Sequence, residues 1–252
     1  MIHSPRGRLM AGLLAAGLTA AGALPAAAEE APPPVDLPVE QIEQVVRDYL
    51  LREPEVIYQA LEELQRRQQV AASERQKEAI AQAQDELLHD PASPVAGNPA
   101  GNVTLVEFFD YRCTYCRRVV PALQALLDDD SELRVVFKEL PVLGEDSVRA
   151  ARAALASRHQ DAYLEFHFAL MDASDLSQDG ILALARDVGL DPERLAQDME
   201  APEVQAAIEA NYALASRLGI EGTPAFVIGE NLIPGAVGKA RLVELIEGER
   251  AG

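Results

Sequence analysis

The first periodic pattern along the chain is helical. From residue 39 onward Ile42, Val45, Val46, Tyr49 and Leu50 fall on one face, with Glu and Arg on the other. Glu53-Pro54 interrupts this run, because proline lacks a backbone donor and restrains the residue before it. A second amphipathic segment follows, with Val56, Ile57, Ala60, Leu61 and Leu64 at helical spacing. Beyond Leu64 the apolar stripe thins. Residues 66–88 are rich in Gln, Glu, Lys and Ala, strong helix formers with mainly small residues to bury, and read as a solvated helical spacer. Pro91, Pro94, Gly97, Pro99 and Gly101 then mark a turn-rich boundary.

Past that boundary two apolar runs rich in Val and Phe, residues 104–109 and 133–140, predict buried strands, with a helix over 115–127 between them. A long helical region, about 146–218, is broken near 174–178, 189–192 and 201–202, with Asp179 and Asp191 as expected N-caps. Residues 225–228 and 231–234 form a predicted hairpin across Gly229-Glu230, and 238–248 a terminal helix. The order β-α-β, helical excursion, β-β-α defines a mixed α/β domain, and no internal repeat is evident.

Four segments result: a signal peptide at 1–28, a helical module at 29–65, a stalk at 66–94, and a globular domain at 95–252. Two helices of about three to four turns cannot enclose a core alone, so the module must bury its stripe against something. The polar stalk favours copies of the same module over the globular domain. The stripe is not a sustained heptad, so its periodicity leaves the copy number open.

The signal peptide rests on Arg6 and Arg8, the apolar residues 9–23, and a small-residue cleavage site at Ala26-Ala27-Ala28. The apolar stretch falls short of the roughly 18 residues of a membrane span, so cleavage near Ala28 and no later membrane insertion are expected, an uncleaved anchor being the alternative. A net charge of -19 repels nucleic-acid phosphates and anionic lipid, so neither is an expected partner. The absence of Trp also argues against a stacking platform for bases or sugars.

The chemistry concentrates in Cys113-Thr114-Tyr115-Cys116, which holds the only two cysteines of the chain. A structural bridge closing so short a loop contributes only about 2 kcal/mol, and a chain of this length buries a core without such a staple. A zinc half-site is the other alternative. It lacks ligand-spaced partners, since His89, His159 and His167 lie in unrelated segments, and no metal or other cofactor is expected. The favoured reading is a redox dithiol. At a helix start the first sulfur meets unpaired N–H groups and the positive end of the helix dipole, which favour thiolate. Cys113 is then the nucleophile, and Cys116, one turn later, resolves the mixed disulfide.

Gly222-Thr223-Pro224 precedes the first hairpin strand at a turn where an X-Pro bond can be cis, leaving the Thr223 backbone free to pair with an incoming peptide. The alternative is that Pro224 merely starts a strand. Glu107 sits mid-strand in an apolar run. Buried, it would have a raised pKa and could relay a proton for Cys116; solvent-facing, it would do neither. Lys138 could pair with Glu107, but a solvated strand-end lysine is the expectation.

The segment Glu107 to Cys116, the helical region and Gly222 to Phe226 together resemble the DsbA family of thioredoxin-fold proteins over about residues 95–250. The resemblance implies a thioredoxin fold with an all-helical insertion, Cys113 as nucleophile, Cys116 as resolving cysteine, Pro224 in cis and Glu107 as the buried acid. The leader from Gln41 to Ile57 is similar to that of the ScsC and Com1 subgroup, which implies a periplasmic homotrimer with disulfide isomerase activity. Strong oxidases of the family carry Pro-His between the cysteines. Thr114-Tyr115 supplies no imidazole to stabilise the Cys113 thiolate, so a less oxidising couple is expected. Tyr115 and Thr223 also resemble the isomerase members.

An exported disulfide isomerase acting on disulfide-containing client proteins, with a membrane-bound thiol reductase as electron source, is the first expectation. A dithiol oxidase served by a quinone-linked membrane protein is the alternative, and a redox-independent chaperone the third reading.

Overall fold

The computed structural model describes residues 38–252. The expected signal peptide and the start of the 29–65 segment lie outside the described residues. The chain divides into two compact units, one ending at Tyr58 and one beginning at Gln59.

In the first unit α1 (Val39–Arg52) ends where Glu53 donates its N–H to the Tyr49 carbonyl, just before Pro54. None of its residues is buried. Ile42, Val45, Val46 and Tyr49, at spacings of three and four, all stand exposed along it. Helix α2 (Glu55–Gln82) starts directly after the proline and runs without a break past residue 65, where the sequence pattern weakens.

The second unit continues with α3 (Gln84–Leu88), β1 (Val95–Gly97), β2 (Val103–Phe109), α4 (Thr114–Asp129), β3 (Leu133–Glu139) and α5 (Glu145–Ser157). A single 3-10 turn at Arg158–Gln160 leads to α6 (Tyr163–Asp172), α7 (Gln178–Asp187), α8 (Pro192–Asp198) and α9 (Pro202–Arg217). Strands β4 (Ala225–Ile228) and β5 (Asn231–Pro234) and helix α10 (Lys239–Ala251) complete it. The sheet order is β1-β3-β2-β4-β5; β2 and β3 are parallel and the other pairs antiparallel. The mixed α/β fold with an all-helical insertion between β3 and β4 is the thioredoxin fold that the sequence implied.

Strand alternation sorts the central residues onto two faces. Leu105, Phe109, Val135, Phe137, Phe226 and Ile228 enter the larger core with α4 and α10. Val106, Phe108, Val136, Ala225 and Val227 face a second core, closed by Ile80, Ala83 and Leu87 together with Leu214 and Leu218. The C-terminal end of the expected stalk is therefore packed against the sheet. Ile80, Ala83 and Leu87, three and four positions apart, form an apolar stripe that the polar composition of 66–88 hides.

Three further expectations change. Residues 95–97, read as boundary, form an edge strand, with Val95 opposite Val136 and Gly97 opposite Arg134. Three residues between prolines are too few to show a period of two. A Cβ at Gly97, whose φ is +75°, would stand 2.4 Å from the Leu133 carbonyl, so the turn out of this strand requires glycine. Asp191 does cap α8, accepting from the Arg194 N–H, but the α7 cap is Ser177, accepting from Gly180, and Asp179 lies inside the first turn. Lys138 is buried, not solvated. It sits on the face opposite Glu107 and donates to Asp90 (3.0 Å), Ser93 (2.6 Å) and the Glu86 carbonyl (2.5 Å).

Candidate active site

Strand β2 ends in the core and the chain turns at Asp110 before entering α4. Asp110 fixes that turn: its buried carboxylate accepts from the Arg112 N–H (2.7 Å), the Ser147 hydroxyl (2.7 Å) and the Leu143 N–H (2.9 Å), and its carbonyl from the Cys113 N–H. Cys113 is consequently the N-cap of α4, its sulfur 3.4 Å from the Cys116 N–H. The same sulfur donates to the Thr223 carbonyl at 3.2 Å, across the site from the β4 side. The Thr223–Pro224 peptide is cis. Residues 110 positions apart in sequence thus meet at one sulfur.

Both cysteines are free thiols. Cys116 points into the core and is fully buried, whereas Cys113 keeps a small exposed surface. Burial pushes the Cys116 thiol far up, with the Glu107 carboxyl adding to the effect and the Asp110 backbone opposing it. Thr114 and Tyr115, between the cysteines, face solvent, and Arg118 lies over the Tyr115 ring at 5.3 Å.

Alternation along β2 places Glu107 on the face of the larger core. It is buried, its Oε2 has no hydrogen-bond partner, and Lys138 is unavailable on the other face. Burial first, and the charge of Cys113 second, raise the Glu107 carboxyl to about 8. A groove of about 370 Å³ opens beside Thr223 and Pro224, with Gln76, Ile220, Glu221, Leu232 and Pro234 among its walls. Among the described residues no group of three or more His, Cys, Asp or Glu side chains is placed to hold a metal ion, and no helix is long and apolar enough to cross a membrane.

Sequence reasoning missed Asp110 and a second buried group, Tyr111, Glu139, Tyr163 and His167. Glu139 was detectable: it stands two residues from Phe137, so alternation turns it into the same core.

Comparison with known proteins agrees with this geometry. The DSBA-like thioredoxin domain family matches residues 104–247, and the copper resistance protein ScsC N-terminal domain family matches residues 39–71. A thioredoxin-like oxidoreductase from Silicibacter pomeroyi is 51% identical, with a TM-score of 0.65 over 67% of this chain and 98% of that one. Proteus mirabilis ScsC in a transitional conformation is 30% identical, with a TM-score of 0.64 over 84% of this chain and 96% of that one. Among curated relatives, the Na(+)/H(+) antiporter NhaA of Herminiimonas arsenicoxydans is 30% identical over 66% of this chain, which spans only 28% of the antiporter's length.

A dithiol at a helix N-terminus, beside a cis-proline loop on this sheet, defines the class of thioredoxin-fold thiol–disulfide proteins. More specifically, the chain belongs to the DSBA-like thioredoxin domain family of thiol–disulfide oxidoreductases, and its leader matches the ScsC N-terminal domain.

Proposed function

We propose that this protein is an exported, periplasmic disulfide isomerase that works as a homo-oligomer, a trimer by its likeness to ScsC. The Cys113 thiolate attacks a non-native client disulfide, forms a mixed disulfide and releases one client thiolate. A second client thiolate then displaces Cys113, leaving a rearranged client and the original thiolate with no net change in electrons. When rearrangement stalls, Cys116 attacks the Cys113 sulfur. The client leaves reduced and a Cys113–Cys116 disulfide remains, to be reduced by a membrane-bound thiol reductase. During that reduction Cys116 departs as a thiolate that burial disfavours, and neutral Glu107 supplies its proton. Thr223 and Pro224 hold the client backbone next to Cys113, with the adjacent groove taking its side chains.

The observation that carries isomerisation is the exposed apolar stripe of α1 on a chain with one dithiol. Association through that stripe brings several Cys113 thiols to one client and raises their effective concentration. Thr114-Tyr115, with no imidazole to hold the Cys113 thiolate, supports the same reading. The test is repair of scrambled ribonuclease. The native protein is expected to restore activity and Cys113→Ala to abolish repair. Oxidation of reduced ribonuclease without repair of the scrambled form would assign the chain to the oxidases instead, and repair unchanged in Cys113→Ala to the redox-independent chaperones.

A further inference from the structure

Behind the cysteines lies a polar cluster that thiol exchange does not itself require. Glu139, at the end of β3, is buried in the larger core, and its Oε1 accepts from the hydroxyls of Tyr111 (3.0 Å) and Tyr163 (2.9 Å). The Tyr111 hydroxyl is also 3.0 Å from His167 Nδ1. A phenol has one proton; with that proton given to Glu139, His167 must donate through Nδ1, leaving a bare Nε2. That Nε2 is buried and unpartnered, with the ring against Phe109 and Phe137. Tyr163 and His167, four apart on α6, present one face to this centre.

Tyr111 joins the cluster to the dithiol. It is two residues before Cys113, and its carbonyl accepts from Arg117 Nε (2.9 Å) in the first turn of α4. Asp110 is tied to α5 and Leu143 on one side of the loop; the Tyr111 ring is the tie on the other. The Cys113 sulfur keeps its two short contacts, to Cys116 N–H and Thr223 O, only while this loop holds its place.

We propose that Glu139 is a positioning residue for thiol exchange: as a neutral acceptor it holds Tyr111, and through Tyr111 it aims the Cys113 sulfur at the helix N-terminus and at Thr223. Burial favours its protonated form. Burial pushes the Glu139 carboxyl well above the usual range, the two phenols oppose this, and the carboxyls of Asp110 and Glu107 add to it. A single oxygen accepting two phenols is what a protonated carboxyl can offer, and a glutamine can offer it too.

The inference rests on Cys113 being the nucleophile, so its test is read at that sulfur in full-length protein carrying Cys116→Ala. The parent's Cys113 reactivity toward iodoacetamide at pH 7 is measured first; a parent no faster than a free cysteine would refute the nucleophile assignment itself. Against a reactive parent, Tyr111→Phe is expected to slow alkylation about fivefold, equivalent to about 1 kcal/mol in the barrier. Tyr163→Phe removes a hydrogen bond from the same oxygen, but Tyr163 stands on α6 and not in the loop before Cys113, so it is expected to change the rate less than twofold. Glu139→Gln, which keeps the acceptor, is expected to retain most of the parent rate. An unchanged rate in Tyr111→Phe, or equal slowing in both tyrosine variants, would reduce the cluster to core packing. Slowing in Glu139→Gln as large as in Tyr111→Phe would overturn the neutral-acceptor role. Thermal unfolding of each variant identifies any loss of fold.

Discussion

Glu107 sits in an environment far from what its chemistry prefers. A carboxyl held near 8 in the folded state and near 4.5 in the open chain favours folding when protonated. That contribution is complete below pH 4.5 and is lost as pH rises toward 8. Glu107→Gln has no such titration. The variant is therefore expected to gain stability over the native protein as pH rises, reaching on the order of 4 kcal/mol at pH 8. Urea unfolding of both proteins at pH 4.5 and 8 checks this, and a difference that does not change with pH would mean that Glu107 ionises normally in the folded protein. Cys113 and Cys116 were legible from their spacing alone. The burial of Glu107 was not, because a lone acid in an apolar run fits either face until the register is known. The same alternation that buries Glu107 with the cysteines carries Lys138 away from it, toward Asp90.

Among elements, the strands at 104–109, 225–228 and 231–234 and the helix after the cysteines were readable because apolar runs are bounded there by turn residues. Strand β1 was not, being three residues at a sheet edge. The 3-10 turn at Arg158–Gln160 also escaped, since no proline or glycine marks it. The instructive case is the end of α2. Its composition signals a solvated spacer, yet Ile80 is fully buried and packs in the core with Val106, Phe108 and Val136. Composition averages over a helix, whereas packing is decided by a few positions on one face. Ile80→Ala is expected to cost about 3 kcal/mol in urea unfolding, while Val70→Ala, on an exposed position of the same helix, costs less than about 0.5 kcal/mol. Equal effects would mean that the end of α2 is not seated on the sheet.

At the scale of the molecule, the two cores on the two sheet faces explain why the second unit positions its site so closely. Cys113 precedes β3 and the helical insertion, Thr223 follows the insertion, and the two meet because β2 and β4 are neighbours. Among the described residues, none of those in α1 is buried. Ile42→Asp combined with Val46→Asp puts two carboxylates on the exposed stripe, one turn apart. This double variant is expected to convert an oligomer into a monomer by light scattering, with reaction of the Cys113 thiol unchanged. A native protein already monomeric, or an oligomer that survives both charges, would remove the role given to this face.

The central claim is a division of labour between two sulfurs, one presented at the helix start and one sealed beneath it. The most direct measurement is a short pulse of iodoacetamide on the fully reduced protein at pH 7, followed by peptide mass analysis. The account predicts modification at Cys113 with Cys116 left unlabelled until the protein unfolds. Equal labelling of the two, or faster labelling of Cys116, would contradict it.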